Sequence, residues 1–297
     1  MTLEQLRIFV AVAEREHVTQ ASRDLNLTQS ATSAAVAALE ARYQTQLFDR
    51  IGRRIVLTDA GHVFLREARA VLARAAAAEV VLADLAGLKR GLLRLGASQT
   101  VANYWLPLFV HRFRSTFPGI ELGVTIGNTE AVCEMVHERI ADLGFIEGEV
   151  DDPALSIEPV ADDELLLVVA PDHPWVRARP DPQRDFSTTR WVFRERGSGT
   201  RSIFEAALPA LGVDPRTLDI ALELPSNEAV RAAVEAGAGA TVISRLVAEG
   251  SLKAGTLVAI DIDLPKRRFF VLRHKERYVT RAASEFRALV SRGPNRE

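Results

Sequence analysis

One cysteine in 297 residues, Cys133, leaves this chain no internal disulfide and no cysteine-rich zinc cluster. No stretch reaches the ~18 uninterrupted apolar residues that a bilayer crossing needs. The opening MTLEQLRIFVAVAERE has neither a basic start before an apolar run nor a small-residue cleavage site, so neither a membrane span nor an export signal is expected. Charge of one sign is missing as well. With 37 Lys and Arg against 39 Asp and Glu the net charge is −2, so there is no general basic field, and any nucleic-acid contact must come from local arginines. Catalytic signatures are absent too: there is no GxxxxGKS or GxxxxGKT, EAGAGATV around Gly237 lacks the last glycine of a dinucleotide fingerprint, and RERGSGTR lacks GxSxG spacing. His17, His62, His111, His137, His173 and His274 fall in no metal-binding spacing. The expectation is a cytoplasmic binding protein without metal or cofactor, rather than an enzyme.

What is present fills about two domains and a connector. The stretch Thr19 to Tyr43, TQASRDLNLTQSATSAAVAALEARY, reads as two short helices separated by Asn26 and Leu27, with Thr19 and Thr28 as N-caps. In the second helix Ala31, Ala35, Ala38, Leu39 and Arg42 recur at helical spacing and are expected to face inward. The opposite stripe carries Gln29, Ser30 and Ser33. These short polar side chains, with Thr32 beside them, suit a helix that enters a major groove by its N-terminal turn. Taken alone, a helical hairpin with a merely solvated polar face is an equal alternative.

The flanking segments shift that balance toward DNA. Leu3, Leu6, Phe9, Val10 and Ala13 mark an opening amphipathic helix, which makes three helices in all. Downstream, QTQLFDRIGRRIVLT reads as a β-hairpin wing with Leu47 and Phe48 buried, Gly52 in the turn, and Arg50, Arg53 and Arg54 crowding the tip, where guanidinium groups suit phosphates or a minor groove. From Asp59 to Leu88 an Ala-rich, proline-free segment predicts a long helix. Its residues Phe64, Ala68, Val71, Ala75, Ala78, Leu82 and Leu85 keep heptad spacing, the pattern of a seam that pairs two chains. Gly87 and Gly91 mark its exit.

Beyond Leu92, strands alternate with helices. Strands are expected at 92–96, 120–127, 142–148, 164–170, 190–195, 220–224, 240–244, 257–261 and 267–273, and helices at 103–116, 129–140, 199–211, 226–236, 244–253 and 279–292. This alternation predicts an α/β architecture with largely parallel sheets, split into two lobes by polar breaks near Ala161–Glu164 and Leu264–Lys266. Ser98-Gln99-Thr100, Gly127-Asn128-Thr129, Gly197-Ser198-Gly199-Thr200 and Ser226-Asn227 stand at strand-to-helix junctions. Each alone reads as a helix cap. Together they suit a crevice at the strand ends that holds a small oxyanion or carboxylate, with Arg194, Arg196 and Arg201 as available charge. Glu147, in GFIEG, would repel a dianion unless it orients an arginine or accepts a proton from a protonated ligand.

With these residues in view, the chain resembles LysR-type transcriptional regulators over essentially its whole length. TQASRDLNLTQSATSAAVAALEARYQTQLFDR followed by RRIVLTDAG is similar to the signature region of that family. Two positions depart from the family pattern: Ala34 follows Ser33 where arginine is common, and Gln44 stands where glycine is usual, in a turn that often takes positive φ. GFIEG, RERGSGTR, LPSNEAVRAAVEAGAGATVISR and LKAGTL look like the sulfite-sensing subgroup, near the sulfur-assimilation and carbon-fixation regulators. The resemblance implies a winged helix-turn-helix over 1–59, a linker and dimerisation helix over 60–90, and a two-lobed, periplasmic-binding-protein-like effector domain over 91–297. Lobe I would comprise 91–162 and 267–297, and lobe II 163–266. It also implies double-stranded promoter DNA, a small anionic effector and a homo-oligomer, dimer or tetramer, as partners. Ser98, Thr100, Asn128, Glu147, Ser198, Thr200 and Asn227 are then the expected effector positions.

Overall fold

The computed structural model describes residues 1–51, 54–85, 91–148 and 150–293, without the side chains of 50, 51, 54, 77, 80 and 83–85. The chain divides into two compact units, Met1–Ala86 and Gly87–Glu297.

The first unit opens with α1 (Leu3–Arg15), started by a capping box: Thr2 Oγ1 accepts from the Gln5 amide at 3.1 Å, and Gln5 Oε1 accepts from the Thr2 amide at 3.0 Å. In α2 (Val18–Asp24) the expected cap, Thr19, is wrong by two positions. His17 caps the helix, its Nδ1 accepting from the Gln20 amide at 3.3 Å. Thr28 does cap α3 (Gln29–Tyr43), accepting from the Ala31 amide. The inward stripe of α3 also differs from expectation: Thr32, Val36 and Leu39 are buried, whereas Ala31, Ala38 and Arg42 are exposed. Val and Leu bury more apolar surface than Ala, and the helix turns to suit them. Their core includes Leu6, Phe9 and Val12 of α1, and the Phe9 ring packs 5.4 Å from Phe48 and 4.8 Å from Phe64.

Gln44 ends α3 in the left-handed region at φ 50°, as the sequence requires. Beyond it, Glu40 Oε1 accepts from the amides of Leu47 and Phe48, pinning the entry to an antiparallel hairpin of β1 (Phe48–Ile51) and β2 (Arg54–Leu57). The 27-residue α4 (Asp59–Leu85) follows. Gly61 lets α4 pass close to the chain, since a Cβ there would lie 2.1 Å from the Leu47 carbonyl oxygen. Of the expected seam, Ala68 is buried in this unit's own core and Phe64 packs against it, partly buried.

The second unit begins with β3 (Gly91–Ser98), a π-helical turn at Val101–Trp105 and α5 (Leu106–Thr116). Then come β4 (Ile120–Gly127), α6 (Thr129–His137), β5 (Leu143–Glu147) and β6 (Leu155–Asp163). The chain crosses to a second lobe through β7 (Leu165–Val169), α7 (Pro182–Asp185), β8 (Arg190–Arg194), α8 (Gly199–Ala207) and β9 (Asp219–Leu224). That lobe is completed by α9 (Asn227–Glu235), β10 (Thr241–Ser244), α10 (Arg245–Ala254) and β11 (Val258–Ile260). Finally β12 (Arg267–His274) and α11 (Arg281–Ser291) return to the first lobe.

The first lobe's sheet has the order β4-β3-β5-β12-β6, and the second holds β10-β7-β11 and β8-β9, joined by a Trp191–Ala240 bridge. The sheets are mixed, not largely parallel. β3 runs parallel to β4 and β5, and β8 to β9, but the returning β12 enters antiparallel between β5 and β6, and β7 pairs antiparallel on both sides. β6 was not expected at all. Each lobe has its own core: Phe109, Phe113, Phe145 and Phe286 in the first, Phe186, Trp191, Phe193 and Phe204 in the second. Among the described residues no helix is long and apolar enough to cross a membrane.

Candidate functional site

The parallel strands β3 and β5 end side by side in the first lobe and deliver Ser98 and Glu147 to the cleft. Ser98 Oγ donates to one Glu147 carboxylate oxygen, while Thr100 and, from the second lobe, Thr200 make long 3.5 Å contacts to the other. Asn227 Nδ2 donates to Thr100 Oγ1 at 3.0 Å, and Asn227 Oδ1 accepts from Arg194 Nη1 at 2.6 Å. Ser98, Thr100, Glu147, Thr200 and Asn227 thus form one buried network across the cleft floor. Asn128 stands at the rim instead, capping α6 with its oxygen and donating to Glu195 and the Arg196 carbonyl. Ser198 precedes α8, yet its buried hydroxyl has no partner among the described residues. The first-turn amides of a helix have no partner within the helix, so this corner can donate hydrogen bonds.

Two of the three expected arginines are already committed to protein carboxylates. Arg194 forks onto Glu195 with two 2.8 Å bonds. Burial opposes ionisation of Glu195, but the Arg194 hydrogen bonds and charge outweigh it and hold the carboxyl below its ordinary range. Arg201 pairs with Glu205 and Glu223, donates to the Arg194 carbonyl and lies over the Phe193 ring. Arg196 is exposed.

Sequence reasoning missed several residues that the fold brings here. Arg267 opens β12, sits 2.5 Å from Asp163 at the end of β6 in a fully buried ion pair, and donates to Thr200 Oγ1 at 2.9 Å. Ser244 of the second lobe donates to the same Asp163. Its one sequence signal was an arginine at the first position of a strand that follows a lobe crossing. Gln99 brackets the next segment, donating to the Pro225 carbonyl and accepting from the Asn227 amide. From the π-helical turn, Asn103 and Tyr104 both donate to Glu228. Burial, then the hydrogen bond and charge of Glu228, push the Tyr104 hydroxyl up to about 12. With the Glu130 amide donating to the Gly197 carbonyl on the other rim, the lobes are clasped on both sides of the floor.

In the first unit Gln29 and Ser30 are exposed and Ser33 is half-buried. Thr32 is a correction: it lies on the Val36–Leu39 stripe, fully buried, with its hydroxyl donating to the Thr28 carbonyl, so it faces the core instead of a groove. Arg53 lies outside the described residues, as do the side chains of Arg50 and Arg54. On α4, Val71 is 42% and Leu82 68% exposed; Ala78 is exposed and Ala75 half-buried, while the Leu85 side chain lies outside the described residues. Among the described residues no group of three or more His, Cys, Asp and Glu is placed to hold a metal ion.

Two family models cover the chain. Residues 3–62 match the bacterial regulatory helix-turn-helix protein, lysR family, and residues 86–294 match the LysR substrate binding domain. The chain belongs to the LysR family of transcriptional regulators. It is 36% identical over 288 residues to the uncharacterized HTH-type transcriptional regulator YeiE of Escherichia coli (strain K12), with 96% of each chain covered. It is 35% identical over 267 residues to the HTH-type transcriptional regulator CbbR of Rhodospirillum rubrum, covering 90% of this chain and 87% of that one. Among solved structures, full-length CbnR complexed with its target DNA superposes with a TM-score of 0.72 at 23% identity, covering 98% of this chain and 99% of that one. This LysR chain is therefore a DNA-binding transcriptional regulator with an effector-binding domain, and not an enzyme.

Proposed function

We propose that this regulator works in the cytoplasm as a homo-oligomer on promoter DNA and changes its DNA contacts when a small anion, sulfite or a related oxyanion, seats on the cleft floor. The observation that carries the reading is the buried Ser198 hydroxyl at the start of α8, unpartnered among the described residues and two positions before Thr200, which meets Glu147 together with Ser98 and Thr100. Glu147 already engages three of these hydroxyls, so a ligand that brings a proton to it fits better than a dianion. On the DNA side, Gln29, Ser30 and Ser33 meet bases or phosphates, and Arg50, Arg53 and Arg54 anchor the wing. Val71, Ala75, Ala78, Leu82 and Leu85 pair two chains.

A thermal-shift series with sulfite, sulfate, thiosulfate, phosphate and small carboxylates tests the effector, because a ligand selective for the folded state raises its melting temperature by mass action. Sulfite is expected to stabilise the wild type and to lose that effect in Ser198→Ala; no response to any inorganic anion refutes the assignment. For DNA, the double variant Arg53→Ala/Arg54→Ala is expected to flatten the salt dependence of binding by up to roughly two units of slope.

A second reading, an organic metabolite as effector, is favoured by the relatives. Several are named as RuBisCO regulators, and the Synechocystis CcmR regulatory domain, 26% identical with a TM-score of 0.63, was solved in complex with 2-PG. A response to organic acids alone in the same series would select it.

A further inference from the structure

Five hydrogen bonds between the lobes converge on one short segment of the first lobe. Gln99 Nε2 donates to the Pro225 carbonyl at 2.6 Å, and Gln99 Oε1 accepts from the Asn227 amide at 3.0 Å. Thr100 Oγ1 accepts from Asn227 Nδ2, also at 3.0 Å. Further on, Asn103 and Tyr104 both donate to Glu228. Gln99 and Thr100 stand just before the π-helical turn, Asn103 and Tyr104 lie inside it, and all their partners sit at or just before the start of α9.

That turn has a cause in the sequence. The Leu106 amide donates to the Val101 carbonyl, so the π turn runs into α5 without a break. Pro107 therefore stands inside a continuous helix. At the first turn of a separate helix a proline is harmless, but in an interior it has no N–H to give and its ring clashes with the carbonyl four residues back, here that of Asn103. A regular α turn through these residues is thereby disfavoured, and a widened turn takes its place. Pro107 is exposed, so packing does not account for it. Trp105, at φ −117° and ψ −47°, carries the local departure from helical backbone.

We propose that Pro107 is a positioning residue for the cleft floor: it imposes the π turn, and the π turn sets Gln99 and Thr100 in register with Asn227. A π turn closes over about one residue more than an α turn. Both flanks are fixed, Ser98 by its pairing with Gly127 and Trp105 by its ring, 4.5 Å from Phe109 and 5.8 Å from Phe269. If the turn tightened to α, the surplus residue would have to enter the junction between them, at Gln99 and Thr100. Ala102, which already packs against the core, would take the buried place of Val101. Thr100 would turn by about 100° and lose both Asn227 and Glu147, while Asn103 and Tyr104, next to the fixed Trp105, keep Glu228. Pro107 thus acts on the floor through winding and not through contact. This role rests on reading the floor as the effector seat.

Hydrogen exchange of the full-length protein at neutral pH, read by mass spectrometry on peptides spanning Asn227, tests this without any ligand. Pro107→Ala is expected to speed exchange of the Asn227 amide about tenfold or more, because Gln99 no longer accepts from it. Deleting Ala102 in the same variant removes the surplus residue and should restore wild-type exchange, which the repair of a packing defect would not predict. Throughout, the alkaline absorbance step that Tyr104→Phe removes should stay near pH 12, because Glu228 remains beside that hydroxyl. Pro107→Ser serves if the alanine variant does not fold. Wild-type exchange at Asn227 in the proline variant, a loss that the deletion leaves unrepaired, or a Tyr104 step that falls toward 10 along with the loss each overturns the role. The sulfite series uses neither proline variant, so the two can fail independently.

Discussion

Asn227 bonds to both lobes at once: its amide nitrogen donates to Thr100 Oγ1 at 3.0 Å while its oxygen accepts from Arg194 Nη1 at 2.6 Å. Replacing it by alanine removes a cross-lobe tie and leaves a buried guanidinium donor short of a partner, a defect worth roughly 1–3 kcal/mol. Asn227→Ala is therefore expected to lower the urea midpoint of the second unit without changing the slope of the transition. An unchanged midpoint would show that water replaces the lost groups freely.

The Asp163–Arg267 pair predicts a stronger response. With side chains 2% and 1% exposed, neither charge can be hydrated once its partner is gone. Asp163→Leu and Arg267→Met singly should each cost about 3–5 kcal/mol, and the double variant should recover most of that loss, as buried pairs do when replaced together by apolar groups. A double-mutant cycle by equilibrium denaturation checks it; additive losses would mean that the pair is not coupled.

Acid should loosen the cleft at both rims. For Glu195 and Glu228 burial works against ionisation, yet hydrogen bonds hold both pKa values below the ordinary 4.5. A carboxyl lowered in the folded state binds fewer protons folded than unfolded, so its contribution is complete above the ordinary value and fades as pH falls below it through the folded value. Stability should thus decline from about pH 4.5 downward, and Glu228→Gln should flatten part of that decline in a pH series of thermal melts.

Cys133 should be a sluggish nucleophile. With its thiol raised from 9.0 to about 11, the thiolate fraction at pH 8 is about a hundredfold below that of an ordinary cysteine. Alkylation by iodoacetamide should be correspondingly slow, and Glu134→Gln should speed it slightly; a rate equal to that of an unfolded control would contradict the burial and the acidic neighbours that raise the thiol.

Gln44 offers a gain in the first unit. A side chain in the left-handed region is strained where glycine is not, so Gln44→Gly should raise stability by roughly 0.5–1 kcal/mol, measured by denaturation of the full chain. A loss instead would mean that the Gln44 side chain contributes more than its backbone strain costs.

The α/β alternation was legible because most strands are short apolar runs bounded by turn residues, and Gln44 was legible because its turn fixes φ whatever the side chain. β6 was not, for a physical reason. Its residues are mostly half-buried at a sheet edge, Pro159 interrupts its donors, and its register slips opposite Phe269 and Phe270. The stripe on α3 was misread because Ala recurs all round that helix and dilutes its periodicity, leaving Val36 and Leu39 to set which face is buried. At the cleft, junction hydroxyls stood out in sequence. Arg267 did not, because its partner lies 104 residues away and only the strand pairing joins them.

That pairing bears on how the protein is made. β12 sits between β5 and β6 in the sheet, so β6 leaves the ribosome with no neighbour to bond to. At 5–20 residues per second, the 104 residues from Asp163 to Arg267 take roughly 5–20 s to synthesise. Throughout that interval the first lobe lacks a central strand, and by its end the second lobe is complete in sequence. Within the second unit the second lobe is therefore expected to fold before the first, with β12 closing the first lobe last.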